Sequence, residues 1–260
     1  MDLELEGKVC VVTGASRGIG REVGRSLCAE GAQVLFVGRD ADALVQAADG
    51  CGGEYLAGDI TDPGVAERIV ATCAEQMGGI DVLVNNAGTS FARGLDELTD
   101  EDWQSQWELH VMAPMRLMRA AAPLMAQRGG GRMVNVCSSA GKRPSLTNAA
   151  YSVTKAAQLS LSRVFADSYA SENVLVNAVA PGAVASELWM GADGLAEQVA
   201  AAHGGTPEEA LAAQAGKIPL GRLAEPREIA DIVVFLCSAR ASNVTGAAWS
   251  ADGGAVPIIV

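Results

Sequence analysis

The sequence predicts a parallel α/β sheet, doubly wound, with helices on both faces, and three observations predict it. Short apolar runs alternate with amphipathic stretches, most plainly over the N-terminal half of the chain. The runs are apolar throughout rather than alternating, as in strands covered on both faces. A glycine-rich turn stands between the first run and the first helical stretch. Parallel strands joined by right-handed crossovers leave the doubly wound arrangement as the leading architecture. The length of 260 residues suits one such unit, and no repeat or low-complexity linker divides it. Residues 1–260 are therefore expected to form a single domain.

Taken in order, residues 9–12 form a β-branched run read as the first strand. The turn over 13–20 follows, then a helical pattern over 19–30. Residues 33–37 read as a strand, 40–48 as a helix, 55–57 as a short strand and 63–77 as a helix. Residues 81–84 are the next strand. A long helical stretch covers 100–127, with a bend expected at Pro114. A strand at 132–137, a helix at 151–169 and a strand at 174–179 complete the regular part. Residues 186–216 break the rhythm. They are rich in Ala and Gly, carry Trp189, Met190 and Leu195, and hold two helical pieces separated by Gly204-Gly205. This reads as a helix-loop-helix lid inserted before a last strand.

Composition excludes several classes. Acidic residues outnumber basic ones 31 to 19, for a net charge of −12, and no dense Lys/Arg run exists to bind nucleic acid. The six cysteines are scattered without a C-x-x-C pair, and the acidic first residues do not resemble a secretory leader. Both point to a reducing cytoplasm. The apolar runs have strand length, too short to span a membrane. Neither the cysteines nor His203 has neighbours at metal-ligand spacing, so no metal is expected.

The turn Thr13-Gly14-Ala15-Ser16-Arg17-Gly18-Ile19-Gly20 lies between strand and helix. Its glycines permit a tight turn and let backbone N–H groups approach a pyrophosphate at the helix N-terminus. The second strand ends at Gly38-Arg39, the point that faces an adenosine ribose in dinucleotide-binding folds. An acidic residue there bonds the 2′-hydroxyl of NAD, and an arginine accommodates the 2′-phosphate of NADP. Arg39 and Arg17 therefore point to NADP(H), with NAD(H) left open by the neighbouring Asp40.

These residues, with others downstream, resemble the short-chain dehydrogenase/reductase family over nearly the whole chain, and in particular its 3-oxoacyl-[acyl-carrier-protein] reductase-like members. The turn matches that family's cofactor turn, and Asp59-Ile60 resembles its adenine-binding pair. Asn85-Asn86-Ala87-Gly88 matches its cofactor-lining motif, and Ser138 with Tyr151-x-x-x-Lys155 matches its active site. Pro181-Gly182, Val184 and Ser186 resemble its nicotinamide-side loop. The stretch from Gly221-Arg222-Leu223 to Asp252-Gly253-Gly254 resembles tetramer-forming members. The resemblance implies a Rossmann-type fold, an NADP(H)-dependent oxidoreductase, and a homotetramer or homodimer.

Tyr151 and Lys155 are four residues apart at a helix start and share one face. A free phenol, with a pKa of about 10, is a poor base near neutrality, and a nearby ammonium is expected to lower it. Ser138 ends a strand at the carboxyl edge of the sheet and can hold a substrate oxygen near the phenol. His110 stands where the family usually has a catalytic asparagine, seven residues after a tryptophan like Trp103. It is expected either to continue a proton relay behind Lys155 or to serve structure alone. The expected reaction interconverts a ketone and a secondary alcohol. A 3-oxoacyl thioester is one candidate substrate, and its acidic acyl-carrier protein would need exposed arginines beside the cleft, with Arg128 and Arg132 available. The acidic residues 167–172 weigh against that partner. The alternatives are an NAD-dependent alcohol dehydrogenase and a non-catalytic NADP(H)-binding protein. The apolar C-terminus, 255–260, is expected to be covered by a neighbouring subunit or by its own domain.

Overall fold

β1 (Val9–Thr13), β2 (Gln33–Gly38), β3 (Glu54–Ala57), β4 (Val82–Asn85), β5 (Gly131–Val136), β6 (Val174–Pro181) and β7 (Ala248–Ala251) build one sheet in a computed structural model that describes residues 1–257. Its order is β3-β2-β1-β4-β5-β6-β7, and every pair is parallel. The order reverses between β1 and β4, so a crevice opens there at the carboxyl ends of the strands.

The pleat sorts the apolar runs onto two cores. Cys10, Val12, Val34, Phe36, Val82, Val84, Val134 and Val136 face one side, against α1 (Gly18–Ala29), α2 (Ala41–Asp49) and α10 (Pro226–Cys237). Val9, Val11, Leu35, Val37, Leu83, Met133, Val174 and Val176 face the other, against α3 (Val65–Gln76), α5 (Ala113–Gln127) and α6 (Ala149–Tyr169). Side chains alternate along a strand, so a continuous apolar run feeds both layers. Each fully buried Val or Leu contributes about 1.5–3 kcal/mol. Gly24 lets α1 lie against the sheet, since a Cβ there would enter the ring of Phe36.

The expected long helix is three pieces. α4 (Asp100–Trp107) begins on a capping box between Thr99 and Asp102. A π-turn over Glu108–Met112 follows, and α5 begins at Ala113. Pro114 sits in the first turn of α5, directly after the π-turn. The break thus lies in the π-turn before the proline, which corrects the bend expected at Pro114 itself.

Residues 186–216 contain α7 (Glu187–Met190), α8 (Leu195–His203) and α9 (Pro207–Ala215). Gln198 ties them to the loop after β4: its Oε1 accepts from the Ala92 N–H at 2.8 Å. At the C-terminus, the Asp252 carboxylate accepts from the N–H groups of Gly254 and Val256 at 3.0 and 3.1 Å. This turns the chain back onto its own domain, where Ala255 and Val256 line the main cleft. The remainder of the apolar tail, 258–260, lies outside the described residues. No helix among the described residues is long and apolar enough to cross a membrane.

Candidate active site

A cleft of about 1230 Å³ runs along the carboxyl edge of the sheet. At one end, Gly14, Ser16, Arg17, Gly18 and Ile19 line it. Gly14 (φ +63°) needs its glycine twice: the backbone is left-handed, and a Cβ would lie 2.7 Å from Ala87 Cα. No side chain caps α1, and its first turn holds no acidic residue. Its free N–H groups therefore present partial positive charge to the cleft. A pyrophosphate fits this cradle.

Gly20 does not line the cleft. A Cβ there would run into the Gly14 carbonyl and the Asn86 amide, so this glycine serves close packing beneath the turn. Asn86 explains that closeness: its Nδ2 donates to Thr13 O at 2.9 Å and Gly14 O at 3.2 Å. Thr13 Oγ1 in turn accepts from the N–H groups of Asn86 and Ala87. The ends of β1 and β4 are thereby locked together, and Asn86, Ala87 and Gly88 form the cleft wall. Behind them, Asn85 Nδ2 donates to Asn135 Oδ1, and Asn135 Nδ2 to Ser162 Oγ, both at 2.8 Å.

Arg39, Asp59 and Ile60 line the cleft beyond the turn. The Arg39 side chain is 76% exposed and lies 3.9 Å from Asp59. Desolvation opposes ionisation of Asp59, but the Thr61 N–H and hydroxyl, together with Arg39, hold its carboxyl below the ordinary range. Asp40 is otherwise engaged, because its Oδ1 accepts from the Ala43 N–H and caps α2. The end of β2 therefore offers a cation to the cleft.

At the other end of the cleft stand Ser138, Tyr151 and Lys155, with Pro181, Gly182, Val184 and Ser186 opposite. Ser138 follows β5, and its Oγ accepts from the Ala140 N–H at 3.1 Å. Burial pushes the Tyr151 phenol up to about 12, against the opposing effect of the Ser138 hydroxyl. Burial brings the Lys155 ammonium down to about 8. Lys155 Nζ donates to Val136 O and Gln158 Oε1, each at 2.9 Å, and lies 5.6 Å from the Tyr151 ring centroid. The expected lowering of the phenol by the ammonium is absent in this arrangement. Desolvation dominates the phenol, and the ammonium donates to Val136 O and Gln158 Oε1 instead.

His110 is fully buried beneath the cleft wall rather than exposed in it. The π-turn carries it there, with its ring edge-on to Tyr151 at 5.3 Å. Nε2 accepts from the Thr89 N–H at 3.3 Å. Nδ1 lies 3.0 Å from Thr154 Oγ1, whose own proton goes to Tyr151 O. These bonds assign the proton to Nδ1 and a neutral ring. Burial, and after it the charge of Lys155, hold its pKa well below 6.5. Both nitrogens are engaged by protein groups.

Sequence reading missed Gln158, Thr154, Ser90 and Gln106. The first two lie on α6, three residues from Lys155 and Tyr151 respectively, a helical spacing that could have flagged them. Ser90 and Gln106 line the cleft, and their Oγ and Oε1 are buried without a partner among the described residues. An unpaired buried polar group costs about 1–3 kcal/mol, and no sequence signal announces it. His203 is exposed, as the solvated reading expects, and stands at the rim of the cleft. Arg128 and Arg132 do not flank the cleft. Arg128 donates to Gly78 O and Arg132 stands at the start of β5, both at the amino edge of the sheet. The acidic end of α6 lies near that edge too. At the substrate end the cleft is lined by a different arginine, Arg143.

A dinucleotide-sized crevice that ends on a serine, a tyrosine and a lysine defines a class of oxidoreductase. The family model described as enoyl-(acyl carrier protein) reductase matches residues 14–256. Galactitol 2-dehydrogenase from Agrobacterium fabrum is 34% identical over 97% of this chain and 98% of its own. 3-Oxoacyl-[acyl-carrier-protein] reductase FabG from Vibrio cholerae is 32% identical over 97% and 98%. The structure of L-sorbose reductase from Gluconobacter frateurii, complexed with NADPH and L-sorbose, shares 36% identity and a TM-score of 0.92 over the whole of both chains. The chain belongs to the short-chain dehydrogenase/reductase family and is an oxidoreductase.

Proposed function

We propose that the protein is an NADP(H)-dependent oxidoreductase that interconverts a ketone and a secondary alcohol, with Tyr151 as the proton donor and acceptor. The observation that carries this is the convergence of Ser138, Tyr151 and Lys155 on one cleft with the uncapped N-terminus of α1. Arg39, free at the end of β2, supports NADP(H), as does the NADPH complex of the L-sorbose reductase. NADPH, when bound, supplies a hydride to the carbonyl carbon.

The chain's own groups do the rest. The Ser138 hydroxyl donates to the carbonyl oxygen and holds it beside the Tyr151 phenol. Tyr151, with a pKa near 12, is protonated at neutral pH and delivers its proton to the oxygen as charge develops there. Lys155 would hold the ribose hydroxyls of a bound cofactor, and its ammonium steadies the phenolate until solvent restores the proton. His110 is a positioning residue: it pins the Gly88–Ser90 backbone on one side and, through Thr154, the first turn of α6 on the other. Residues 186–216 act as a lid over the substrate end, fastened by Gln198. The described surface leaves Val153 and Val164 on α6 exposed, which supports assembly as a homotetramer or homodimer. Six free cysteines suit a reducing cytoplasm.

NADPH oxidation followed at 340 nm against a panel of ketones tests the reading. Tyr151→Phe is expected to lower kcat by about 10²–10⁴-fold while NADPH still binds. Tight NADPH binding with no turnover of any ketone would overturn it.

A further inference from the structure

The substrate end of the cleft holds two atoms that the protein itself leaves unsatisfied. Ser90 Oγ lies in the loop after β4, next to the residue whose N–H bonds His110. Gln106 Oε1 belongs to the last turn of α4, next to the π-turn. Both side chains are more than nine-tenths buried, at 6% and 2% exposure, and both line the cleft shared with Ser138 and Tyr151. Neither atom has a hydrogen-bond partner among the described residues. Buried acceptors without partners are uncommon in native folds, and in a ligand cleft they await the ligand's donors.

We infer that the site takes a polyhydroxylated ketone or alcohol, whose hydroxyl groups beside the reacting carbon donate to Gln106 Oε1 and pair with Ser90 Oγ. This rests on the oxidoreductase reading above and adds the substrate class to it. A plain aliphatic ketone or an acyl chain could fill the apolar side of the cleft, formed by Leu195 and Val199 of the lid. Such a substrate would bring no donor to Ser90 and Gln106, whose oxygens are already shut off from water, and would leave both unpaired. A substrate with hydroxyls on adjacent carbons meets both requirements, with its carbon skeleton under the lid and its oxygens on the floor. Sites built to bond a hydroxyl discriminate strongly against analogues that lack it.

The discriminating quantity is a ratio of kcat/KM values, measured with NADPH for a ketohexose, for 2-hexanone and for an acetoacetyl thioester. In the wild type the ketohexose is expected to be the preferred substrate. In Ser90→Ala and in Gln106→Leu, the ketohexose-to-hexanone ratio is expected to fall about tenfold or more. Fluorescence of bound NADPH verifies that each variant is folded. A ratio unchanged in both variants overturns the inference, as does a wild-type preference for 2-hexanone or the thioester; either result leaves the oxidoreductase reading standing. Failure of the wild type to oxidise NADPH with any of the three, or with the wider ketone panel, removes the oxidoreductase reading and the substrate class with it.

Discussion

At Lys155 the ammonium is buried and donates to Val136 O and Gln158 Oε1, so the protein's own acceptors engage it. At Arg39 the opposite holds. The guanidinium is largely in solvent, with only a distant contact to Asp59, and is free to meet a phosphate. A charge-assisted hydrogen bond to a phosphate contributes about 1.5–3 kcal/mol. Arg39→Ala is therefore expected to lower the NADPH-over-NADH preference in kcat/KM by about tenfold to a hundredfold. An unchanged preference would assign the 2′-phosphate to Arg17 or to backbone groups instead. His110 makes a stability prediction. Its pKa is far below 6.5 in the folded chain, while the unfolded chain takes up a proton near 6.5. The folded state thus binds fewer protons below that pH, and stability present at and above 6.5 is lost as pH falls through it. Melting temperatures from pH 7.5 to 5 should drop more steeply in the wild type than in His110→Asn. Parallel declines would show that other groups dominate acid unfolding.

The elements differ in how plainly the sequence announces them. β1, β2, β4, β5 and β6 were readable because each is a run of apolar residues too short for a helix, and their observed limits differ from the expected ones by one or two residues. β7 is Ala-Trp-Ser-Ala at the sheet edge, mostly exposed, and its short mixed sequence carries no strand signal. α10 does carry a sequence signal, the helix start formed by Glu225, Pro226 and Glu228. The π-turn was invisible, because five residues are too few to distinguish one helical period from another. The three residues at the heart of the site were legible from spacing. Ser90 and Gln106 were not, since what sets them apart is a missing partner. Gly24 is likewise a three-dimensional requirement. Gly24→Ala gains about 1 kcal/mol of helix propensity but drives a methyl into the sealed Phe36 ring. The net expectation is a loss of about 2 kcal/mol, read as a Tm lower by about 4–8 °C. A Tm unchanged or raised would mean that α1 can lift from the sheet at no cost.

For the whole molecule, the net charge of −12 opposes an anionic cofactor, so recognition must be local: the N-terminus of α1, Arg17 and Arg39 provide it at one end of the cleft. The apolar side chains left outside the cores, Val153 and Val164 on one helix among them, suit burial between subunits. Light scattering is expected to report a tetramer or dimer, and a monomer at micromolar concentration would refute assembly through that face. The π-turn over Glu108–Met112 has a geometric consequence of its own. It holds one residue more than a regular turn would, and each residue of an α-helix advances the chain by about 100°. The angular setting of α4 relative to α5 is therefore fixed by a residue count. Removing a single residue from this segment would restore a regular helix and swing Gln106 through about 100°, out of the cleft, while His110 left its pocket. Insertions and deletions, and not only substitutions, would thus rewrite what this site can hold.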